Sequence, residues 1–279
     1  MAARSRSRPG GRRHPGRVVH GVPPLSAPPP AAQLDDLADT VARERMERFA
    51  SALLPGLLLE GEGGPDEGSG PRIKDLCLAV RDAYDRLDAL FAELTLDPPL
   101  ACKAGCVHCC CNQVALTEPE ALFLGQYLLE TRDRGRLLDL ETRTRALVED
   151  LKGKSWQDIG MIRHRLPCLF LENGGCSVYP ARPLACRGWN SVDVGRCVQS
   201  NLSENALTMI ENHPIVRRLA DAVQNGLLRG AAALNLEAGY LLMARAVLLL
   251  LEGGAERGVL DRTADWLRGA PFFGRKRTW

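Results

Sequence analysis

Residues 102–111 read Cys102-Lys103-Ala104-Gly105-Cys106-Val107-His108-Cys109-Cys110-Cys111, and Cys168, Cys176, Cys186 and Cys197 follow downstream, leaving Cys77 as the one cysteine outside this stretch. Thiolates are soft donors that suit zinc, copper(I) and iron–sulfur clusters, and tight spacing lets one short segment deliver several of them to one ion. The competing assignment is disulfides. At 279 residues the chain is long enough to bury a core without covalent staples. Adjacent cysteines bridge poorly because the geometry is strained, and five thiols within ten residues are a redox hazard unless something occupies them. Metal ligation is therefore the expected role of the cluster.

Working outward, Gly105 permits the first segment to bend around a centre, whereas a local helix would place Cys102, Cys106 and Cys109 on one face. In the second segment, Asn173-Gly174-Gly175 permits a tight turn that brings Cys168 and Cys176 together. Pro180 and Pro183 stiffen the approach to Cys186. Arg182 and Arg187 flank that cysteine, either as cations favouring its thiolate or as partners of acids in the surrounding shell. His108 is expected to turn outward, since enough sulfurs are present to fill a tetrahedral shell, and His164 and His213 are expected at the surface or at caps.

The flanks carry helical periodicity. Helices are expected over Leu37–Leu54, ending near Pro55-Gly56, and over Ile73–Leu94, with Cys77 on the apolar stripe of the latter as a small core residue. Thr117-Glu118-Pro119-Glu120 has the form of a capping box and starts a helix running to about Glu130. Further helices are expected over Arg134–Lys152, Glu204–Leu228, Leu234–Leu251 and Asp261–Arg268, with short extended pieces at Val114–Leu116 and Leu169–Leu171. The fold class is mostly α: a helical domain with a cysteine-rich, loop-rich metal-binding centre and few short strands. Its expected organisation is a disordered Arg/Pro-rich tail over 1–34, a Gly/Glu linker over Glu60–Gly70 within the N-terminal helices of 35–99, a cysteine-cluster metal-binding domain over 100–200, and C-terminal helices packing on it over 201–279.

Residues 1–34 hold six arginines, seven prolines and no acid, and no apolar run long enough for a signal-peptide core. Arg12-Arg13 superficially suggests a twin-arginine signal, and the composition a transit peptide, but the proline clusters oppose the amphipathic helix that a transit peptide requires. Met1 and Met46 both stand open as translation starts. The expected location is the cytoplasm. The formal net charge of +2, less the six tail charges, leaves 35–279 at about −4, so no specific nucleic-acid partner is expected. The apolar run Leu241–Leu251 contains Arg245 and is too short to span a bilayer.

Two sets of residues carry a family resemblance. Cys102-x3-Cys106-x2-Cys109-Cys110, together with Pro167-Cys168-x-Phe170, Gly175-Cys176-Ser177-Val178-Tyr179 and Arg182-Pro183-x-x-Cys186-Arg187, resembles the YkgJ-type cysteine-cluster family of zinc- or iron-chelating domains over about residues 100 to 200. The resemblance implies Cys102, Cys106, Cys109, Cys110, Cys168, Cys176 and Cys186 as metal ligands. Cys197 completes a set of eight that suits two four-ligand sites, whereas seven suit one cluster plus a site open to solvent or substrate. The chain departs from the commoner spacing by one extra residue before Cys106 and by the third consecutive cysteine, Cys111. The implied cofactor is zinc or iron, an iron–sulfur cluster included; the metal ion is an expected partner, and a protein partner is left open. Related cysteine clusters are associated with a flagellin lysine methylase, so the alternative is an iron–sulfur redox or protein-methyl-transfer enzyme. No nucleotide-binding glycine loop and no nucleophile–base arrangement is present in the sequence.

Overall fold

Helix α1 (Ala31–Leu58) buries Val41, Ala42, Phe49 and Leu53 against α8 (Pro214–Ala233), along the stripe its periodicity predicts. The crossing is close because two glycines of α8 face α1. A Cβ at Gly230 would meet Phe49 Cδ1 at 2.8 Å, and one at Gly226 would meet the Ala42 carbonyl at 2.9 Å. The computed structural model describes residues 31–58, 69–202 and 208–274. Residues 1–30 of the expected tail, nearly all of the Glu60–Gly70 linker and residues 204–207 of an expected helix lie outside the described residues.

Helix α2 (Ser69–Ala92) buries Leu76, Val80, Tyr84 and Leu87 in the same core, with Cys77 half-buried at its edge. Helix α3 (Glu118–Thr131) begins as its capping box dictates: the Thr117 amide donates to Glu120 Oε2 at 3.0 Å and the Thr117 hydroxyl donates to the same oxygen at 2.9 Å. Helix α4 (Arg134–Leu151) follows, then α9 (Met243–Leu251) and α10 (Ala255–Leu267) close the core from the C-terminal side, where Trp266 is fully buried. Truncating one of these buried leucines to alanine costs about 2–5 kcal/mol.

Four expectations need correction. The helix expected from residue 37 already begins at Ala31, inside the tail as drawn from sequence, and it runs through Pro55 to Leu58. The helix expected over Glu204–Leu228 is shorter among the described residues: residues 208–213 are irregular and α8 begins at Pro214, where the proline ring suits a first helical turn. The single helix expected over Leu234–Leu251 is a short strand, β4 (Tyr240–Leu242), followed by α9. That strand pairs antiparallel with β1 (Ala115–Thr117), so a tertiary partner overrides helical periodicity there. The fourth concerns the middle of the chain, where three short helices went unexpected: α5 (Trp156–Ile162), α6 (Leu184–Gly188) and α7 (Val194–Asn201). Among the described residues no helix is long and apolar enough to cross a membrane.

Candidate metal centre

The first cysteine segment is irregular rather than helical up to Val107, then forms a 3-10 turn over His108–Cys111. Gly105 sits at φ +82°, a conformation that L side chains disfavour, and it lets the Cys106 amide donate back to the Lys103 carbonyl at 3.0 Å. The segment is anchored at both ends. The Ala101 amide donates to the Ser191 carbonyl at 2.9 Å, and Asn201 Nδ2 donates to the His108 carbonyl at 2.7 Å. Arg163 donates to Asn112 Oδ1 at 2.9 Å and to the Ser200 carbonyl at 2.8 Å, tying the 3-10 turn to α7.

The second segment forms a hairpin. Strands β2 (Leu171–Glu172) and β3 (Gly175–Cys176) pair antiparallel, with Leu171 opposite Cys176. Asn173 at φ +50° and Gly174 at φ +73° make the two-residue turn expected of Asn-Gly. Cys168 enters this hairpin, its sulfur accepting from the Phe170 amide at 3.5 Å, while the Cys168 amide donates to the Cys110 carbonyl at 2.7 Å. Two stretches more than fifty residues apart are thereby joined main chain to main chain.

Cys186 lies on α6, and the buried Glu120 sets that helix in place. The Leu184 amide donates to Glu120 Oε1 at 2.8 Å while Oε2 accepts from Thr117 and from Gln224 Nε2 at 2.8 Å. Burial pushes the Glu120 carboxyl up from its ordinary range, and these four donors oppose the shift. Arg187 leaves the cluster for the shell: its Nη1 lies 3.0 Å from both Asp88 carboxylate oxygens, and its guanidinium stands 4.6 Å from the Tyr84 ring centroid. Arg182 stays with the sulfurs, donating to the Cys186 carbonyl at 2.5 Å. The two arginines thus divide the two roles foreseen for them.

The thiols sort by their electrostatic neighbours. An inner group, Cys110, Cys168, Cys176 and Cys186, shares Arg182 as an electrostatic neighbour. Burial pushes the Cys168 thiol up to about 11, with the adjoining Cys176 and Cys109 adding to the shift. Burial raises Cys186 as well, with Cys168 adding and Arg182 opposing. An outer group, Cys102, Cys106 and Cys197, lines one cavity wall, and Cys102 is raised by burial and then by Cys106, Cys109 and Cys197, against a hydrogen bond to the Ser191 carbonyl at 3.9 Å. Cys109 stands between the groups. Its thiol donates to the Cys110 sulfur, which raises Cys109 far above the ordinary thiol range and lowers Cys110.

All ten cysteines are free thiols. Among the described residues, no three His, Cys, Asp or Glu side chains stand as a ready-made metal-holding group. The convergence therefore lies in the backbone and in the neighbourhoods of the sulfurs, and closing a ligand shell requires thiol side chains to turn. The donor set itself fits zinc or iron: soft sulfurs from two segments with a half-buried cation as their electrostatic neighbour, in a region with little regular secondary structure. Raised thiols are protonated until a cation arrives, and a dication reverses that preference.

Cys111 has Arg163 and Cys109 as neighbours and stands apart from the inner group. His108 is half-buried and lines the same cavity as the outer thiols, rather than turning fully outward. His213 caps α8 and its Nε2 lies 2.7 Å from the Pro98 carbonyl oxygen, while Arg165 Nε donates to His164 Nε2 at 3.1 Å. Sequence reasoning missed Trp156, Trp189, Arg163, Ser191 and Ser200 as neighbours of the cluster. One signal was available for the first of these: Ser155-x-x-Asp158 is a capping box, with the Ser155 amide donating to Asp158 Oδ2 at 2.9 Å, and it announces α5.

Residues 101–208 match the CxxCxxCC family model, whose description reads "Putative zinc- or iron-chelating domain". The matched segment is the one holding Cys102 through Cys197, and the match agrees with the cysteine-cluster resemblance carried by its spacing. No curated protein and no solved structure matches the chain.

Proposed function

We propose that the protein binds zinc or iron through the thiolates of Cys102, Cys106, Cys109, Cys110, Cys168, Cys176, Cys186 and Cys197. The observation that carries this is the meeting of two distant cysteine segments at the Cys168–Cys110 main-chain bond, with thiols of both segments sharing Arg182 as an electrostatic neighbour. The inner group would hold one ion with four sulfurs, the arrangement typical of a structural site. The outer group would hold a second with help from Cys109. Such an ion supplies ordering free energy to a loop-rich segment, of order 10–16 kcal/mol for structural zinc in small domains.

Arg182 is the protein's own contribution to the charge of the centre. Four thiolates around one dication carry net negative charge, and a half-buried guanidinium offsets it. Arg187 and Glu120 act one step further out, holding α6 and therefore Cys186 at the correct place.

The second reading, an iron–sulfur redox or protein-methyl-transfer enzyme, is favoured by one observation: the outer thiols face a cavity instead of packed core. Purification without air, followed by metal analysis and visible absorption, separates the two. Colourless protein with stoichiometric zinc supports the structural reading, and brown protein with iron and labile sulfide supports the cluster. Protein with neither metal defeats both.

A further inference from the structure

The cavity beside the outer thiols measures about 560 Å³ and its wall is mostly apolar. Trp156, Met161, Trp189 and Met209 line it, and they are 47%, 41%, 43% and 86% exposed. Four large apolar side chains left open on one wall mark an interaction surface. That wall carries no acid among its described residues, and its arginine, Arg163, is already engaged by Asn112 and the Ser200 carbonyl. The matching occupant is therefore uncharged. Ser200 adds a polar point: it is 1% exposed, and its Oγ has no hydrogen-bond partner among the described residues. A buried hydroxyl is ordinarily paired, so this one has a donor to spare for a carbonyl of the occupant.

The start of α1 lies beside this cavity. Asp35 of α1 pairs with Arg218 of α8 at 3.2 Å, and further along Gly226 faces Ala42 and Gly230 faces Phe49, so the two helices run parallel. Ala31 stands four residues before Asp35, as Pro214 stands four before Arg218, which sets the two helix starts level. Asn212, two residues before Pro214, lines the cavity, and the Arg217 guanidinium stands 5.2 Å from the ring of Trp189 on its wall. The N-terminal end of α1 is thereby brought to the cavity's edge.

We propose that this groove is the docking site of the chain's own residues 22–30, Val22-Pro23-Pro24-Leu25-Ser26-Ala27-Pro28-Pro29-Pro30. Five of these nine residues are proline and none is charged, which matches an apolar wall without acids; the six arginines of the tail all lie earlier, at or before Arg17. Proline-rich sequences favour the polyproline II helix, whose rings fit between aromatic side chains and whose backbone carbonyls stay unpaired. Trp156 and Trp189 supply the apolar contact and Ser200 the hydrogen bond. At about 3.1 Å per residue such a segment spans roughly 28 Å, long enough to reach from Ala31 across a cavity of this volume. Docking lays it over Cys102, Cys106 and Cys197 and shields them from solutes, and nothing in the placement calls on a bound ion.

The test uses the full chain carrying Leu25→p-benzoylphenylalanine, irradiated at low concentration without air and mapped by mass spectrometry. Crosslinks are expected within one chain, to the segments Trp156–Arg163 and Trp189–Cys197. In a second full-length variant, Pro23→Ser, Pro24→Ser, Pro28→Ser and Pro29→Ser together vacate the groove, and a synthetic peptide of residues 19–30 should then change tryptophan fluorescence saturably. Its apparent Kd should weaken about tenfold when Trp156→Ala is added, with helical content by circular dichroism unchanged. The parent should respond to the same peptide more weakly, since its own segment competes. Crosslinks scattered over the surface, or formed only between two copies, overturn the proposal, as does a peptide that binds equally well with and without Trp156→Ala. Crosslinking needs no metal, so metal analysis of the same samples tests the thiolate reading separately.

Discussion

The amide of Cys168 donates to the carbonyl of Cys110 over 2.7 Å, so the two cysteine segments are fastened main chain to main chain. A serine at either position keeps that bond and loses the thiolate. Cys168→Ser and Cys110→Ser should each fold with the helical content of the parent, by circular dichroism, yet bind about one ion fewer per chain by elemental analysis. Full metal occupancy in either variant removes that residue from the ligand set.

Glu120 has a definable pH signature. Its folded carboxyl is pushed above the ordinary range by burial, so its contribution to stability is fully present below the unfolded value and is lost as pH rises through the folded one. In Glu120→Gln that dependence disappears. One of the donors now met by the carboxylate also faces an amide NH2 group, costing about 1–3 kcal/mol. Urea unfolding of parent and variant from acid to neutral pH should show a lower midpoint for the variant, with the gap narrowing as pH rises.

Arg182 should matter for metal retention more than for folding. Arg182→Met keeps the volume of the side chain's stem and removes the charge among the inner thiols, whose mutual repulsion then goes unopposed when they ionise. The variant is expected to lose its inner ion to a chelator faster than the parent, with Arg182→Lys intermediate because the compact ammonium lacks the guanidinium fork. Equal loss rates in all three proteins would falsify the charge-offset role.

Cys77 is the internal control. It lies at the edge of the core on α2, and burial, with Glu130 adding, pushes its thiol up to about 11. In metal-free protein at neutral pH it should be alkylated far more slowly than Cys110, whose sulfur is lowered by the Cys109 donor. Cys77→Ala should leave metal content unchanged. Mass mapping of alkylated peptides over time checks both statements.

What the chain announces about itself follows from how local each cause is. The capping box at Thr117 and Glu120, the stripes on α1 and α2, and the Asn173-Gly174 turn are decided within a few residues, and each is found where local chemistry places it. Strand β4 is not local: Tyr240–Leu242 pairs with Ala115–Thr117, and nothing between Leu234 and Leu251 signals that partner. The spacing marked the cysteines as one population. Their sorting into inner and outer groups depends on the Cys168–Cys110 bond and on where α6 and α7 dock, which spacing does not encode. Ser200 and Trp189 went unnoticed because they meet the sulfurs across the fold, in the lining of one cavity.

The Glu120 side chain starts one helix and fastens another, since Thr117 at the head of α3 and Leu184 at the head of α6 both donate to it. The helical frame and the cysteine loops consequently share a single latch. Opening either should release the other, so hydrogen exchange at the amides of Leu184 and Thr117 should follow one common opening event instead of two independent ones.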